Sequence, residues 1–433
     1  MSVRRVLPTL LFTLLALTVR AAQAPEIEYV DEPDEAKAAL MLEKILKKAP
    51  APKDAVRLAD TIAKKRLYAT GLKDSQTLEF ACPDGKTREF TYVLPKKYSP
   101  KKAAPVVVWL HGAISQPAPG GGAGEARMFM PAVEELGPIM IGPSTYDRVE
   151  WGEPACRELV VHAVEYVKRN FRVDDDRVWL AGDSDGGRGT YAMMETMGTT
   201  FAAAVPVIGS PGGVTRFNNF RNLSWLAING ETDGLFKIAA VRKDVEGMKA
   251  SGIDITFMEM AGKGHDPRLF LEQADAVRKF LVAHPREAFP KTVHWVVDPS
   301  RGDSAVGFPA NTFRWIRIEE AGEAKSRHGF EDAGKGLLRA NLPRIEATRD
   351  GNRISVRTSG VTRYTVLLSP EMVDFTKPVI IETNGAPSFE GKVDPDPRTV
   401  LEEARRFRDA RLVFQARVTV AVDGAPAKPP DGK

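Results

Sequence analysis

The residues best suited to chemistry lie in the stretch Arg177–Tyr191, RVWLAGDSDGGRGTY. Val178-Trp179-Leu180-Ala181 is a short apolar run of the kind that a fully buried parallel strand gives. The chain then turns through Gly182-Asp183-Ser184-Asp185-Gly186-Gly187 and enters a helix-compatible segment from Thr190 to Met197. A strand, a G-x-S-x-G turn and a helix in that order lift a serine hydroxyl clear of a sheet edge. Glycines flank the serine because side chains there would strike the neighbouring strand or helix. The helix N-terminus turns its free amides to the same point, where an oxyanion can be held. Ser184 is therefore the candidate nucleophile.

A serine hydroxyl is a weak nucleophile at neutral pH, so it needs a base, and the base needs an orienting acid. Six histidines are available. His111 ends a strand in His-Gly-Ala, where the loop's task is to donate amides; His162 falls within a helix; His284, His294 and His328 belong to a domain junction or to a β-rich region. His265 remains, in Ala261-Gly262-Lys263-Gly264-His265, a loop directly after a strand. From there a base can reach over the carboxyl end of a parallel sheet. The acid is expected after an intervening strand. Asn229–Gly234 follows Trp225–Ile228, with Asp233 the first choice and Glu231 in reserve, whereas Asp266 is too close to His265 to turn back onto its ring. The order Ser184, Asp233, His265 is the one expected after such a turn. Of the two oxyanion amides, one should be that of Asp185 and the other that of Ala113, with Ile114 as the alternative.

These residues need a scaffold. Leu78, Phe80 and Cys82, then Phe90, Tyr92 and Leu94, alternate about Pro83-Asp84-Gly85 and predict a hairpin. Strands are expected at 105–110, 139–141, 202–208, 225–229 and 253–260. Helices are expected at 126–136, over Val160–Phe171, at 237–250 and at 268–282, after a Gly-rich loop at 120–124. Alternation of this kind specifies a mostly parallel sheet covered by helices. Residues 25–75 are read as a helical leader packed on this domain, which itself spans 76–286. Beyond it, short alternating runs from Val293 to Val422, interrupted by one helix at 400–408, read as a smaller all-β sandwich-like module over 290–423, with a disordered tail at 424–433.

Residues 1–24 read as a secretory signal: Arg4 and Arg5, the apolar run Leu7–Val19, then Ala22-Gln23-Ala24 as a small-x-small cleavage site. The run is too short to span a bilayer, and no other segment is long and apolar enough, so the expectation is a secreted or periplasmic protein with no membrane span in its mature form. The 433-residue chain carries a formal charge of +4; three arginines and no acid lie in residues 1–24, whose removal leaves a near-neutral +1 and no case for nucleic acid as a partner. Cys82 and Cys156 lack metal-site spacing, and the glycine run is not followed by Gly-Lys-Ser/Thr, so no cofactor or metal is expected. Whether the two cysteines form a disulfide stays open, as does the oligomeric state. Tyr146 and Trp151 either line an acyl pocket or serve packing.

Trp109-Leu110-His111-Gly112, Gly182–Gly187, Gly230-Glu231-Thr232-Asp233 and Gly264-His265 together resemble an α/β-hydrolase of the secreted esterase type, near the dienelactone-hydrolase, polyester-depolymerase and feruloyl-esterase branches. The resemblance covers Thr77–Arg286, about half the chain. It implies an α/β-hydrolase fold and cleavage of a small-molecule or polymeric carboxylic ester through an acyl-enzyme. Dienelactone hydrolases proper have a cysteine where this chain has Ser184, and some lipases have an extended Gly-Gly-Gly loop where it has His-Gly-Ala. Two alternatives stand beside this one: a serine peptidase of the prolyl-oligopeptidase kind, and a catalytically inert glycan- or cell-wall-binding protein.

Overall fold

Ala104–Leu110 (APVVVWL) is buried at every residue, which a strand tolerates only inside a sheet covered on both faces. The computed structural model describes residues 22–68, 70–118, 120–299, 309–322, 337 and 341–422. Most of the signal segment, His328 and the expected tail lie outside these residues. Eight strands form the large sheet: β1 (Ser75–Ala81), β2 (Thr87–Val93), β3 (Ala104–Leu110), β4 (Ile139–Pro143), β5 (Val173–Asp183), β6 (Ala203–Val207), β7 (Ser224–Gly230) and β8 (Asp254–Met260). Their order is β1-β2-β4-β3-β5-β6-β7-β8. The β1–β2 and β2–β4 pairs are antiparallel and the remainder parallel. This is an α/β-hydrolase fold.

Helices cover both faces. α4 (Gly121–Val133), α9 (Leu269–Glu272) and α10 (Ala274–Ala283) lie over one. There the Trp109 ring stacks on Phe129 at 3.9 Å and meets the edge of Phe270 at 4.7 Å. α5 (Pro154–Asn170), α6 (Asp185–Met197) and α8 (Ile238–Ala250) cover the other, with the short α7 (Phe217–Phe220) beside them. The helix expected from residue 126 begins five residues earlier. The glycine run read as a loop forms its first turn, because a side chain at Gly122 would overlap the backbone of Gly142 and Pro143 on β4, while the Gly122 amide donates to Ser144 Oγ at 3.0 Å.

Two further sheets form the C-terminal β-rich region. One has the order β16-β15-β13-β12-β9, from β9 (Thr292–Val296), β12 (Arg344–Asp350), β13 (Arg353–Ser359), β15 (Val379–Thr383) and β16 (Ala386–Gly391). The other, β10-β11-β14-β17, uses β10 (Thr312–Phe313), β11 (Ile316–Ala321), β14 (Val361–Leu368) and β17 (Ala416–Ala421). β10 and β11 are parted at Arg314, which takes φ 49°. The Arg314 guanidinium donates to the carbonyls of Gly198 and Phe201 behind α6. One continuous apolar core joins this region to the α5–α6 face of the large sheet.

Charge also ties the two regions together. Asp409 accepts from Arg286 through both oxygens, at 2.7 and 2.8 Å, and from Lys168 at 2.8 Å; Lys168 in turn reaches Asp175 at 2.6 Å. All four side chains are nearly or wholly buried. The two cations hold the Asp409 carboxyl well below the usual carboxylate range against the cost of burial.

The leader corrects the expectation. α1 (Pro25–Asp31), α2 (Glu35–Lys48) and α3 (Pro52–Lys64) bury their apolar stripes against Val400, Leu401 and Ala404 of α11 (Pro397–Phe407), the helix of the β-rich region. Amphipathic spacing requires a partner surface but does not say which one.

Removing one member of a buried ion network leaves its partners unpaired, at about 3–5 kcal/mol. Asp409→Ala is expected to lower the unfolding free energy by that amount in a denaturant titration, within a single transition, because the core is shared. The carboxylate's contribution is present above the ordinary Asp pKa and is lost as pH falls through the depressed folded value.

Candidate active site

β5 ends at Asp183, Ser184 takes φ 53° and ψ −116°, and α6 starts at Asp185. Such a backbone costs a residue with a Cβ on the order of 1–3 kcal/mol, and it persists only where the surroundings fix it. Here the Ser184 amide donates to the Val207 carbonyl at 3.1 Å, and the Ser184 carbonyl accepts from Arg188 at 3.0 Å. The flanking glycines are obligatory. A Cβ on Gly182 would lie 2.6 Å from the carbonyl oxygens of both Gly186 and Leu110, and one on Gly186 would overlap the Leu110 carbonyl.

The structure brings Ser184, Asp233 and His265 together. His265 Nε2 lies 2.9 Å from Ser184 Oγ, and His265 Nδ1 lies 2.8 Å from Asp233 Oδ2. With the carboxylate accepting from Nδ1–H, Nε2 is free to accept the serine proton. Asp233 is buried, and its other oxygen accepts the amides of Leu235 and Phe236 at 2.8 and 2.9 Å. The Phe236 ring stacks on the imidazole at 5.7 Å. Glu231 serves elsewhere: it accepts the Gly262 amide at 2.8 Å and so ties the loop that carries His265. Asp266 turns away to Arg268, whose hydrogen bonds pull its carboxyl down to about 2.

Beside Ser184, the loop after β3 offers Ala113 and Ile114. The Ile114 amide donates to the Asp185 carboxylate at 3.2 Å and is thereby occupied. The Ala113 amide has no partner among the described residues; Ala113 is exposed and takes φ 51°. The Asp185 amide, at the first position of α6, is likewise without an acceptor. His111 steadies the loop. Its Nε2 accepts the Thr145 amide at 3.1 Å, so Nδ1 bears the proton and donates to the Gly112 carbonyl at 2.6 Å. Burial lowers the His111 pKa, which keeps the ring neutral. Trp151 is buried and donates to the His111 carbonyl at 3.0 Å, while Tyr146 donates to the Thr87 carbonyl at 3.1 Å; both brace loops.

Two site residues have no signal in the sequence pattern. Asp183, directly before the nucleophile, and Glu125, in the first turns of α4, meet at the Trp109 indole, whose Nε1 donates to Asp183 Oδ1 at 3.2 Å and Glu125 Oε2 at 3.0 Å. Only the placement of α4 against β4 could reveal this meeting. Cys82 and Cys156 are buried free thiols, and Cys156 Sγ sits 3.2 Å from Thr145 Oγ1. Among the described residues no cluster of His, Cys, Asp and Glu could hold a metal ion, and no helix is long and apolar enough to cross a membrane.

No protein-family model matches the sequence, and no curated protein matches it. Among solved structures, the chain is similar to a thermostable esterase (18% identity, TM-score 0.43), covering 49% of this chain and 64% of that one. It is similar to a protein described as a dipeptidyl aminopeptidase IV of Bacteroides ovatus (17%, 0.40), covering 48% of this chain and 36% of that one. A thermophilic esterase of the planctomycete Thermogutta terrifontis is a third (15%, 0.41), with 51% and 96% covered. The chain thus spans less than two thirds of the first two. Likeness this distant leaves the chemistry to the residues themselves.

Gly186→Ala places a methyl group inside the Leu110 carbonyl. Its expected cost is about 3 kcal/mol, the upper end of the overpacking range, read as a lowered denaturant midpoint.

Proposed function

We propose that this protein is an exported serine hydrolase that cleaves carboxylic esters through an acyl-enzyme. The observation that carries this reading is the hydrogen-bonded line from Ser184 Oγ through His265 to Asp233, at 2.9 and 2.8 Å, beside two unpartnered amides. Ser184 Oγ attacks the ester carbonyl carbon while its proton passes to His265 Nε2. The carbonyl π electrons move to oxygen, and the amides of Ala113 and Asp185 stabilise the negative charge. Asp233 holds the imidazolium. Collapse of the tetrahedral adduct breaks the bond to the leaving oxygen, which takes the proton from His265 and departs as the alcohol. Water then repeats the sequence: His265 accepts its proton, hydroxide adds to the acyl carbon, and the acid leaves as Ser184 recovers its proton.

Export is supported by the basic start, short apolar run and Ala22-Gln23-Ala24 site ahead of Pro25. Cleavage there is checked by N-terminal sequencing of protein recovered from the secreting cell. A peptide-library digest separates ester from peptide specificity.

The purified protein is expected to hydrolyse short p-nitrophenyl esters and to be labelled by a fluorophosphonate at Ser184. Ser184→Ala and His265→Ala should each lower kcat by roughly 10⁶, and Asp233→Asn by about 10⁴. Turnover that survives Ser184→Ala would overturn the assignment.

A further inference from the structure

Directly beneath the Gly112–Ala113 segment lie two carboxyl groups in hydrogen-bond contact with each other. Glu125 from α4 and Asp183 from the end of β5 bond side chain to side chain, and the Trp109 indole N–H is shared between them at 3.0 and 3.2 Å. Asp183 is buried, and a Cβ on Gly112 would lie 2.9 Å from its Oδ2 and 3.0 Å from the Ser184 Cβ. Two ionised carboxylates offer only acceptors, so a bond between them requires one proton. We propose that Glu125 and Asp183 share a single proton, and that this latch is a positioning device that aims the Ala113 amide at the substrate carbonyl above Ser184. The inference rests on the hydrolase reading.

The geometry explains how the latch acts. Gly112 is held on two sides: it packs so closely on Asp183 that a Cβ there would lie 2.9 Å from Oδ2, and its carbonyl accepts from His111 Nδ1 at 2.6 Å. The peptide joining Gly112 to Ala113 is planar and trans, so its carbonyl and its N–H point in opposite directions. Pinning the carbonyl on His111 therefore sends the Ala113 N–H the other way, and the close packing of Gly112 on the carboxyl pair stops the preceding peptide from rolling. The positive φ of Ala113 is kept by this two-sided grip. The shared proton also limits the charge under the oxyanion amides to one. Loss of it would set two like charges against each other and against the developing oxyanion. Burial raises both carboxyls, and Glu125, facing Asp183, is pushed up to about 9. The titratable group facing the pair from the end of β3 is neutral His111; Asp185 on α6 faces His111 in turn and is engaged by Ile114 and, at 4.0 Å, by Arg188.

The test compares wild type, E125Q and E125A on p-nitrophenyl acetate over a pH series. A carboxamide can still donate to Asp183 and accept from the Trp109 indole, so E125Q should restore most of the kcat that E125A loses. That loss is expected at about 100-fold, as for a misplaced oxyanion donor, with KM within about threefold because the amide acts on the transition state. Wild-type kcat should fall as pH rises through about 9, and E125Q should lack that limb. The sign for stability follows. The folded state keeps a proton that the unfolded chain releases near 4.5, so wild-type Tm should drop relative to E125Q as pH climbs from there toward 9. Equal kcat in E125Q and E125A, or an alkaline limb unchanged in E125Q, would overturn the latch.

Two controls separate its failure from that of the hydrolase reading. Fluorophosphonate labelling of wild type reports on Ser184 alone. The infrared difference spectrum of wild type minus E125Q at pH 7 reports on the proton alone: a protonated-carboxyl stretch is expected, and its absence overturns the shared proton whether or not esters are cleaved. Should E125A not fold, the E125Q profile and this band decide.

Discussion

Everything at the site depends on a close backbone crossing: the first turn of α6 passes over the end of β3 with no room for a β-carbon between Gly186 and the Leu110 carbonyl. That approach sets the left-handed turn at Ser184 and brings its hydroxyl to the sheet's carboxyl edge. It also sets the loop after β3 beside the new helix N-terminus, so that the Asp185 carboxylate can take the Ile114 amide. His265 and Asp233 arrive from β8 and β7, neighbouring strands on the same side of β5. Their loops are bound to each other through the Thr232 amide on the Lys263 carbonyl at 2.8 Å and Glu231 on the Gly262 amide. Asp233 and His265 are thus presented by one doubly tied loop pair, which spares the site much of the entropy of assembling three independent groups.

What the sequence made legible follows from how local each signal is. Ser184, Asp233 and His265 each stand a few residues beyond an apolar strand, so order along the chain was enough to nominate them. The sequence favours Ala113 over Ile114 without a decisive reason, because both amides belong to one loop and only the Asp185 side chain distinguishes them. Glu125 was hidden for a different reason. The glycines before it resemble a loop, and they are helical only because β4 lies against them with no space for side chains. β16 (Ala386–Gly391) has no clear signal because APSFEG lacks alternation and carries Pro387 at its second position, tolerable on an edge strand.

The β-rich region is continuous with the large-sheet region rather than a bead beside it. Asn219 of α7 exchanges hydrogen bonds with both backbone groups of Val296 on β9, at 2.7 and 3.0 Å, while also donating to the Glu195 carbonyl on α6. Glu195, three turns along the helix that Ser184 caps, accepts the Thr215 and Arg216 amides at 2.6 and 2.8 Å. The nucleophile's helix is therefore clamped at its far end by the second region, a rigid mounting for a site whose geometry must hold to fractions of an ångström.

The three leading helices and α11 have a consequence for how the molecule comes into being. α1 to α3 are synthesised first, yet the surface that covers their apolar stripes belongs to a helix near the opposite end of the described chain. Until α11 emerges, Leu42, Ile45, Leu58 and Ile62 lack the part of their core that Val400, Leu401 and Ala404 supply. Closure of this layer is a long-range event of the slow kind that high contact order imposes. The nascent polypeptide thus carries a half-covered apolar layer until residues 397–407 are made, the sort of surface that chaperones grasp.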